Sequence, residues 1–261
     1  RTILRASGLE AAYAVWLCEQ LGHANERVKR LTSQDELPSD LHPLHLVVLL
    51  AERDISPGDP AELTLFGIDD GIFLQHHDRP GLMTKKELRV QLLAELDLPE
   101  QGVLWDLGAG VGSVGLEALR LRPKLQLLAV EKRGGGTALI KANAARLAVQ
   151  PTAVLETEAL DLLNGTDLPP SLSHPNRVLL GGGGRQRAEL LQAVLQRLQP
   201  NGVVVIPLAT VEALAELRPL LEASSCTVKV SQHQSWRGLP LADGTRMAPM
   251  NPVMILKGTA P

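Results

Sequence analysis

From Val103 onward, short apolar runs alternate with segments in which leucine, valine and alanine recur every three or four positions. The runs Val103–Leu107, Gln126–Val130, Ala153–Glu156, Arg177–Leu180 and Val203–Ile206 read as strands buried on both faces. Helical spacing follows each run, near Ser113–Leu121, Thr137–Leu147, Leu160, Arg187–Leu198 and Val211–Leu221. Strand–helix units repeated in this way predict a parallel, doubly wound α/β sheet. Two late strands, Thr227–Gln232 and Pro252–Leu256, have no long helix between them and predict a terminal antiparallel hairpin.

Upstream the pattern is poorer. Leu9 to Leu21 reads as helical or mixed, Gly22 to Asn25 as a break, Ser33 to Pro38 as loop and short helix, and Leu46 to Leu50 as a strand. Residues 1–53 therefore predict one small unit, with residues 54–65 as a linker. Residues 66–261 predict the main domain, entered through an extended stretch from Phe66 to Met83. Thr84 and Glu87 form a candidate capping box ahead of a helix over Lys85–Leu96, with Leu88, Leu92, Leu93 and Leu96 on one face.

The first strand of the alternating region carries the candidate chemistry. It ends Trp105-Asp106-Leu107-Gly108-Ala109-Gly110-Val111-Gly112, and Glu131 closes the next apolar run. Glycines after a strand let backbone approach a ligand, and an acid one strand later accepts bonds from ribose hydroxyls. Two registers fit. Gly110-x-Gly112-x-x-Gly115 satisfies a dinucleotide fingerprint. Asp106-x-Gly108-x-Gly110-x-Gly112 places an acid just before the turn, which suits the ammonium and sulfonium of S-adenosylmethionine (SAM). The carboxylate favours SAM, because a pyrophosphate wants bare amide donors.

Composition narrows the classes further. Net charge is −3 and aromatic residues are 2% of the 261, which argues against nucleic acid as a partner. No apolar run reaches the length of a membrane span. Residues 1–10 lack the apolar core of a signal peptide, and there are only two cysteines, Cys18 and Cys226. Free thiols and a cytoplasmic location are expected. His76 and His77 have no matching ligand spacing after them, so no metal is expected.

Beyond these readings, the chain resembles the precorrin-6Y C(5,15)-methyltransferase (decarboxylating) family. The likeness rests on Gly81-Leu82-Met83-Thr84-Lys85, on Trp105 to Gly110, on Ala129-Val130-Glu131-Lys132, on Leu180 to Gly184, and on Met250-Asn251-Pro252-Val253. It covers residues 66–257 as the family's C-terminal, SAM-binding half. Cys18-Glu19-x-Leu21-Gly22, Glu26-Arg27-Val28 and Leu44 through Leu49 resemble the end of its tetrapyrrole methylase half, most of which is expected to be missing.

The resemblance implies a class I SAM-dependent methyltransferase domain behind a partial α/β remnant. It implies cobalamin biosynthesis: carbon methylation of a precorrin at carbon 15, with loss of the ring C acetate carboxyl. It further implies a homo-oligomer, a tetramer in relatives. A nucleotide-dependent oxidoreductase and a non-catalytic partner module stand as alternatives.

On these grounds Gly108, Ala109, Gly110, Val111 and Gly112 are expected to wrap SAM. Asp106 is expected to orient its ammonium, Glu131 to hold its ribose, Thr84 to contact it from the lead-in, and Glu158 and Ala159 to flank adenine. Gly182 and Gly183 are expected to open toward substrate, with Lys85 and Arg246, and also Arg79 and Arg185, as partners for its carboxylates. No catalytic nucleophile or triad is expected. Gly134-Gly135-Gly136 departs from the family and is expected to loosen the following helix start.

Overall fold

The computed structural model describes residues 13–31, 35, 38–51, 59–76, 83–165, 168–181, 184–241 and 243–261. The chain divides into two units, Arg1–Gly58 and Asp59–Pro261.

The first unit is a three-stranded antiparallel sheet of order β2-β1-β3, built from β1 (Tyr13–Glu19), β2 (Arg27–Leu31) and β3 (His45–Ala51). Tyr13–Glu19 is thus a strand where helical or mixed structure was expected, and its unbroken apolar run reflects burial along most of its length. β2 was not expected at all: four of its five residues are exposed, so no alternation marks it. Val15, Leu17 and Leu31 form its small core. Glu19 is buried, and its carboxylate accepts from Arg27 (2.9 Å) and from the His42 amide (2.8 Å). Residues 33–34 and 36–37, expected as loop and helix, lie outside the described residues, as do 54–58 of the expected linker, while its remainder holds a short 3-10 helix, Pro60–Glu62.

The second unit holds a seven-stranded sheet with strands β4 (Gln101–Leu107), β5 (Lys124–Glu131), β6 (Ala153–Glu156), β7 (Arg177–Leu180), β8 (Val203–Leu208), β9 (Thr227–His233) and β12 (Val253–Thr259). Their order is β6-β5-β4-β7-β8-β12-β9. The first five are parallel, and β12 runs antiparallel to both β8 and β9. The expected terminal hairpin is a true antiparallel pair in this sheet. Its connection, however, carries a separate two-stranded ribbon, β10 (Trp236–Leu241) with β11 (Gly244–Pro249).

Six α-helices accompany the sheet among the described residues: α1 (Lys86–Glu95), α2 (Ser113–Leu121), α3 (Gly136–Arg146), α4 (Ala159–Asn164), α5 (Arg187–Leu195) and α6 (Val211–Ala223). The strands bury both faces with a period of two. Val103, Trp105 and Leu107 of β4 pack with residues of α4, α5 and α6. Leu104, between them, packs with residues of α1, α2 and α3. β5 does the same with Leu128 and Val130 against Leu127 and Ala129. Trp105 is fully buried, and its indole N–H donates to the Leu172 carbonyl at 2.8 Å, which satisfies its polar atom inside the core.

The expected capping box does not form. α1 begins at Lys86, and its amide donates to Asp70 Oδ1 (2.9 Å), so a carboxylate from the lead-in caps the helix instead of Thr84. Glu87 turns away to Arg237 on β10 (2.6 and 2.8 Å). Arg89, the fourth residue of the helix, is fully buried. It donates to Glu117 (2.7 Å), Asp70 (3.1 Å) and the Thr84 carbonyl (2.7 Å), and also to the Ile68 carbonyl. Its guanidinium lies over the Phe73 ring at 4.8 Å. Arg237 adds a bond to Asp70 at 2.9 Å. One ionic cluster thereby ties lead-in, α1, α2 and the β10–β11 ribbon together.

Candidate functional site

In an open α/β sheet the ligand crevice lies beyond the carboxyl ends of the strands, where strand order reverses. Here the reversal falls between β4 and β7. The two strand ends are clamped there: the Gly181 amide donates to the Leu107 carbonyl at 2.7 Å. Gly108 has φ +80°, and a Cβ on it would stand 2.6 Å from the Gly181 carbonyl oxygen, so no larger residue fits this crossing.

The loop after β4 spends its amides internally. Gly108 and Ala109 both donate to the Val130 carbonyl (2.8 and 2.9 Å), and Gly112 donates to the Ala109 carbonyl (2.8 Å). The Gly110 amide donates to Glu131 Oε2 at 2.7 Å. The other oxygen of Glu131 accepts from the Arg133 amide at 2.9 Å. The carboxylate at the end of β5 is therefore locked against the loop with lone pairs to spare.

The last glycine of the run after Glu131 serves this arrangement. Gly135 takes φ +81° at the helix entry and α3 starts at Gly136. A Cβ on Gly136 would lie 2.6 Å from Glu131 Cγ, so that glycine makes room for the acid.

A cleft of about 560 Å³ opens above the loop. Gly108, Ala109, Gly110 and Val111 form its floor, and Glu131 and Arg133 one wall. His76, Met83, Thr84 and Leu88 line it from the lead-in and α1, and Gly181, Pro207 to Ala209 and Val253 border the rest. A second hollow of about 450 Å³ shares Gly108, Glu131 and Gly181 and is lined beyond them by Lys132, Thr157, Glu158 and Ala159. Glu158 pairs with Lys132 at 3.1 Å. Glu131 thus borders both compartments.

The expected cofactor residues divide. Thr84, Gly108, Ala109, Gly110, Val111 and Glu131 meet in the first compartment, and Glu158 and Ala159 line the second. Gly112 and Asp106 line neither. Gly112, at φ +80°, would drive a Cβ to within 3.1 Å of Ile140 and Leu116, so it packs α2 close to α3. Asp106 points beneath the loop and is almost fully buried, accepting from the Gly115 amide at 3.1 Å. Burial pushes its carboxyl up to about 7, opposed by the Gly115 bond and helped by the charge of Glu131. It anchors the first turn of α2 and borders neither compartment.

The expected substrate residues come together less well. Gly182 and Gly183 lie outside the described residues, as does Arg79. Arg246 is exposed on β11 and Arg185 is exposed after β7, and neither borders the cleft. Lys85 is half-buried with no hydrogen-bond partner for its amine among the described residues, and it too stays outside the cleft lining. Burial lowers its pKa, while the charge of Asp70 works the other way.

Two lining residues were not foreseen in this role, Arg133 and His76. Each presents a buried nitrogen to which no described residue offers a partner. Position alone marked Arg133, two residues past the acid; His76 stood out only as one of a histidine pair.

The precorrin methyltransferase domain family matches residues 75–259. A protein of Pyrobaculum aerophilum named a probable cobalt-precorrin-6B C(15)-methyltransferase (decarboxylating) is 34% identical over 196 residues, covering 74% of this chain and 96% of that one. The cobalt-precorrin-6B C(15)-methyltransferase (decarboxylating) of Salmonella typhi is 30% identical over 188 residues, covering 72% and 93%. The crystal structure of precorrin-6y C5,15-methyltransferase from Geobacter metallireducens superimposes with a TM-score of 0.67 at 31% identity, covering 75% of this chain and 99% of that one. The second unit thus has the class I SAM-dependent methyltransferase fold. With the match running through nearly the whole of that unit, the chain belongs to the precorrin methyltransferase family.

Proposed function

We propose that the chain is a decarboxylating C(15)-methyltransferase of cobalamin biosynthesis, acting on a precorrin-6 ring with SAM as methyl donor. The reading is carried by the way the loop spends its amides. Gly108, Ala109 and Gly110 give theirs to protein acceptors, so a pyrophosphate would find fewer bare donors at the turn. Glu131 instead offers unspent acceptor capacity to a ribose diol. That disfavours a dinucleotide and fits SAM, whose sulfonium methyl supplies the electrophile when bound.

The protein's contribution is then placement. Glu131 fixes the sugar, the glycine floor admits the chain of the cofactor without side-chain obstruction, and Glu158 and Ala159 border the compartment suited to adenine. Leu88, Leu208 and Val253 present an apolar border where a tetrapyrrole edge can exclude water from the reacting carbon. In-line positioning of two reactants can supply about 7–11 kcal/mol of barrier reduction in the best cases, enough to dispense with a nucleophile. Arg89 and its carboxylates hold the lead-in, and so Thr84, at the cleft. Assembly into a homo-oligomer belongs to the same proposal, supported by the exposed Trp236 and Met247 on the β10–β11 ribbon. The first unit, outside the family match, reads as the end of a tetrapyrrole methylase domain.

Titration calorimetry with S-adenosylhomocysteine and with NAD tests the cofactor. The homocysteine nucleoside should bind and NAD should not. Glu131→Gln should weaken the former by ten- to a hundredfold, the scale of a hydrogen bond to a charged group. Uptake of NAD in preference would end the proposal. Methyl transfer from labelled SAM to precorrin-6B, with release of carbon dioxide, tests the reaction.

A further inference from the structure

Resting on the SAM reading of the cleft, we infer that Arg133 and His76 form a carboxylate-binding subsite within it. Both residues line the same 560 Å³ space. Arg133 Nη1 and His76 Nε2 are each shielded from solvent and each lack a hydrogen-bond partner among the described residues. Protein interiors rarely leave such nitrogens unpaired, so a ligand is the natural source of the acceptor. The backbone that carries Arg133 is held in place: its own amide is bonded to Glu131, which fixes the point from which the guanidinium projects. A guanidinium fork and an imidazole nitrogen bordering one cleft suit the two oxygens of a carboxylate.

Other anions fit less well. A phosphate would call on the loop amides, and those of Gly108, Ala109 and Gly110 are already committed. No described hydrogen bond or ion pair joins the Glu131 carboxylate to the Arg133 guanidinium; its described bonds come from the Gly110 and Arg133 amides. The basic residues expected to meet carboxylates do not compete for the role: Lys85, Arg185 and Arg246 stand outside the cleft lining. A carboxylate can come from the amino-acid end of the cofactor or from a side arm of the tetrapyrrole. Both have the same chemistry at these two nitrogens.

The experiment uses Arg133→Met and His76→Leu in the full chain, with Arg133→Lys as a charge-retaining control. Each is titrated with S-adenosylhomocysteine and with 5′-methylthioadenosine, which lacks the amino-acid carboxylate, and each is assayed for KM with precorrin-6B. A loss of tenfold or more in homocysteine-nucleoside affinity, with methylthioadenosine affinity kept, supports the subsite with the cofactor as the source. Unchanged affinity for both nucleosides, with KM for precorrin raised tenfold or more, supports it with the substrate as the source. Equal losses for both nucleosides, or no change in any of the three quantities, overturn it. Should Arg133→Met fail to fold by circular dichroism, His76→Leu carries the same readout. Wild-type protein that binds neither nucleoside defeats the SAM reading first, and the subsite with it, an outcome distinct from a failure of the variants alone.

Discussion

Replacing Asp106 by Asn separates two roles that a carboxylate before a glycine turn can play. The residue is almost fully buried, its only described bond is from the Gly115 amide, and its pKa rises from 3.8 to about 7. The folded state therefore binds the proton more tightly than the unfolded state does. Between about pH 4 and pH 7 the folded chain carries more protons at this site, so stability falls as pH rises through that window and levels off above it. At about 1.4 kcal/mol per pH unit, the accumulated loss is on the order of 4 kcal/mol by pH 8. Asn keeps an acceptor for Gly115 and carries no charge, so its stability should lack this slope. Urea denaturation at half-unit steps from pH 4.5 to 8.5 should show D106N falling less steeply than wild type and exceeding it by a few kcal/mol at pH 8. Calorimetry should show S-adenosylhomocysteine affinity held within about threefold, because Asp106 does not border the cleft. Parallel stability curves would refute the burial account, and a collapse of affinity would restore the expected contact with the ammonium.

Two further substitutions probe the scaffold. Arg89→Met leaves Glu117 buried without its cation and Asp70 with Arg237 alone, and should cost about 3–5 kcal/mol in chemical denaturation; adding Glu117→Leu should recover part of it. Gly136→Ala forces a Cβ into the space of Glu131 Cγ, so it should weaken S-adenosylhomocysteine binding about tenfold while stability changes by less than about 1 kcal/mol, the scale of a glycine-to-alanine helix effect.

The parallel part of the sheet was legible because its strands are buried on both faces and its helices on one, so period two and period 3.6 stand out. Ala153–Glu156 and Arg177–Leu180 were located to the residue. The ribbon was not. Trp236-Arg-Gly-Leu-Pro-Leu and Gly244-Thr-Arg-Met-Ala-Pro mix glycine and proline into mostly exposed strands, and only the pairing of one with the other makes them strands. Among the cofactor residues, backbone roles were readable from glycine spacing, and Glu131 from its place at a strand end. Arg89 was hidden because a charge inside an amphipathic helix reads as a solvated position; its partners lie 19 and 28 residues away in the chain. The direction in which Asp106 points was likewise hidden, since a strand residue beside a turn can face either side of the sheet.

The place of β12 bears on how the molecule is made. It follows the other six strands in chain order, yet it lies between β8 and β9 and supplies the described ladder of β9. A nascent chain emerging from the ribosome has β4 through β8 in hand early, while the flank of β8 stays open and β9 has nothing to pair with. During that interval the exposed edge invites strands from neighbouring polypeptides. Synthesis paused shortly before Val253 should therefore be the moment at which this protein most needs a chaperone.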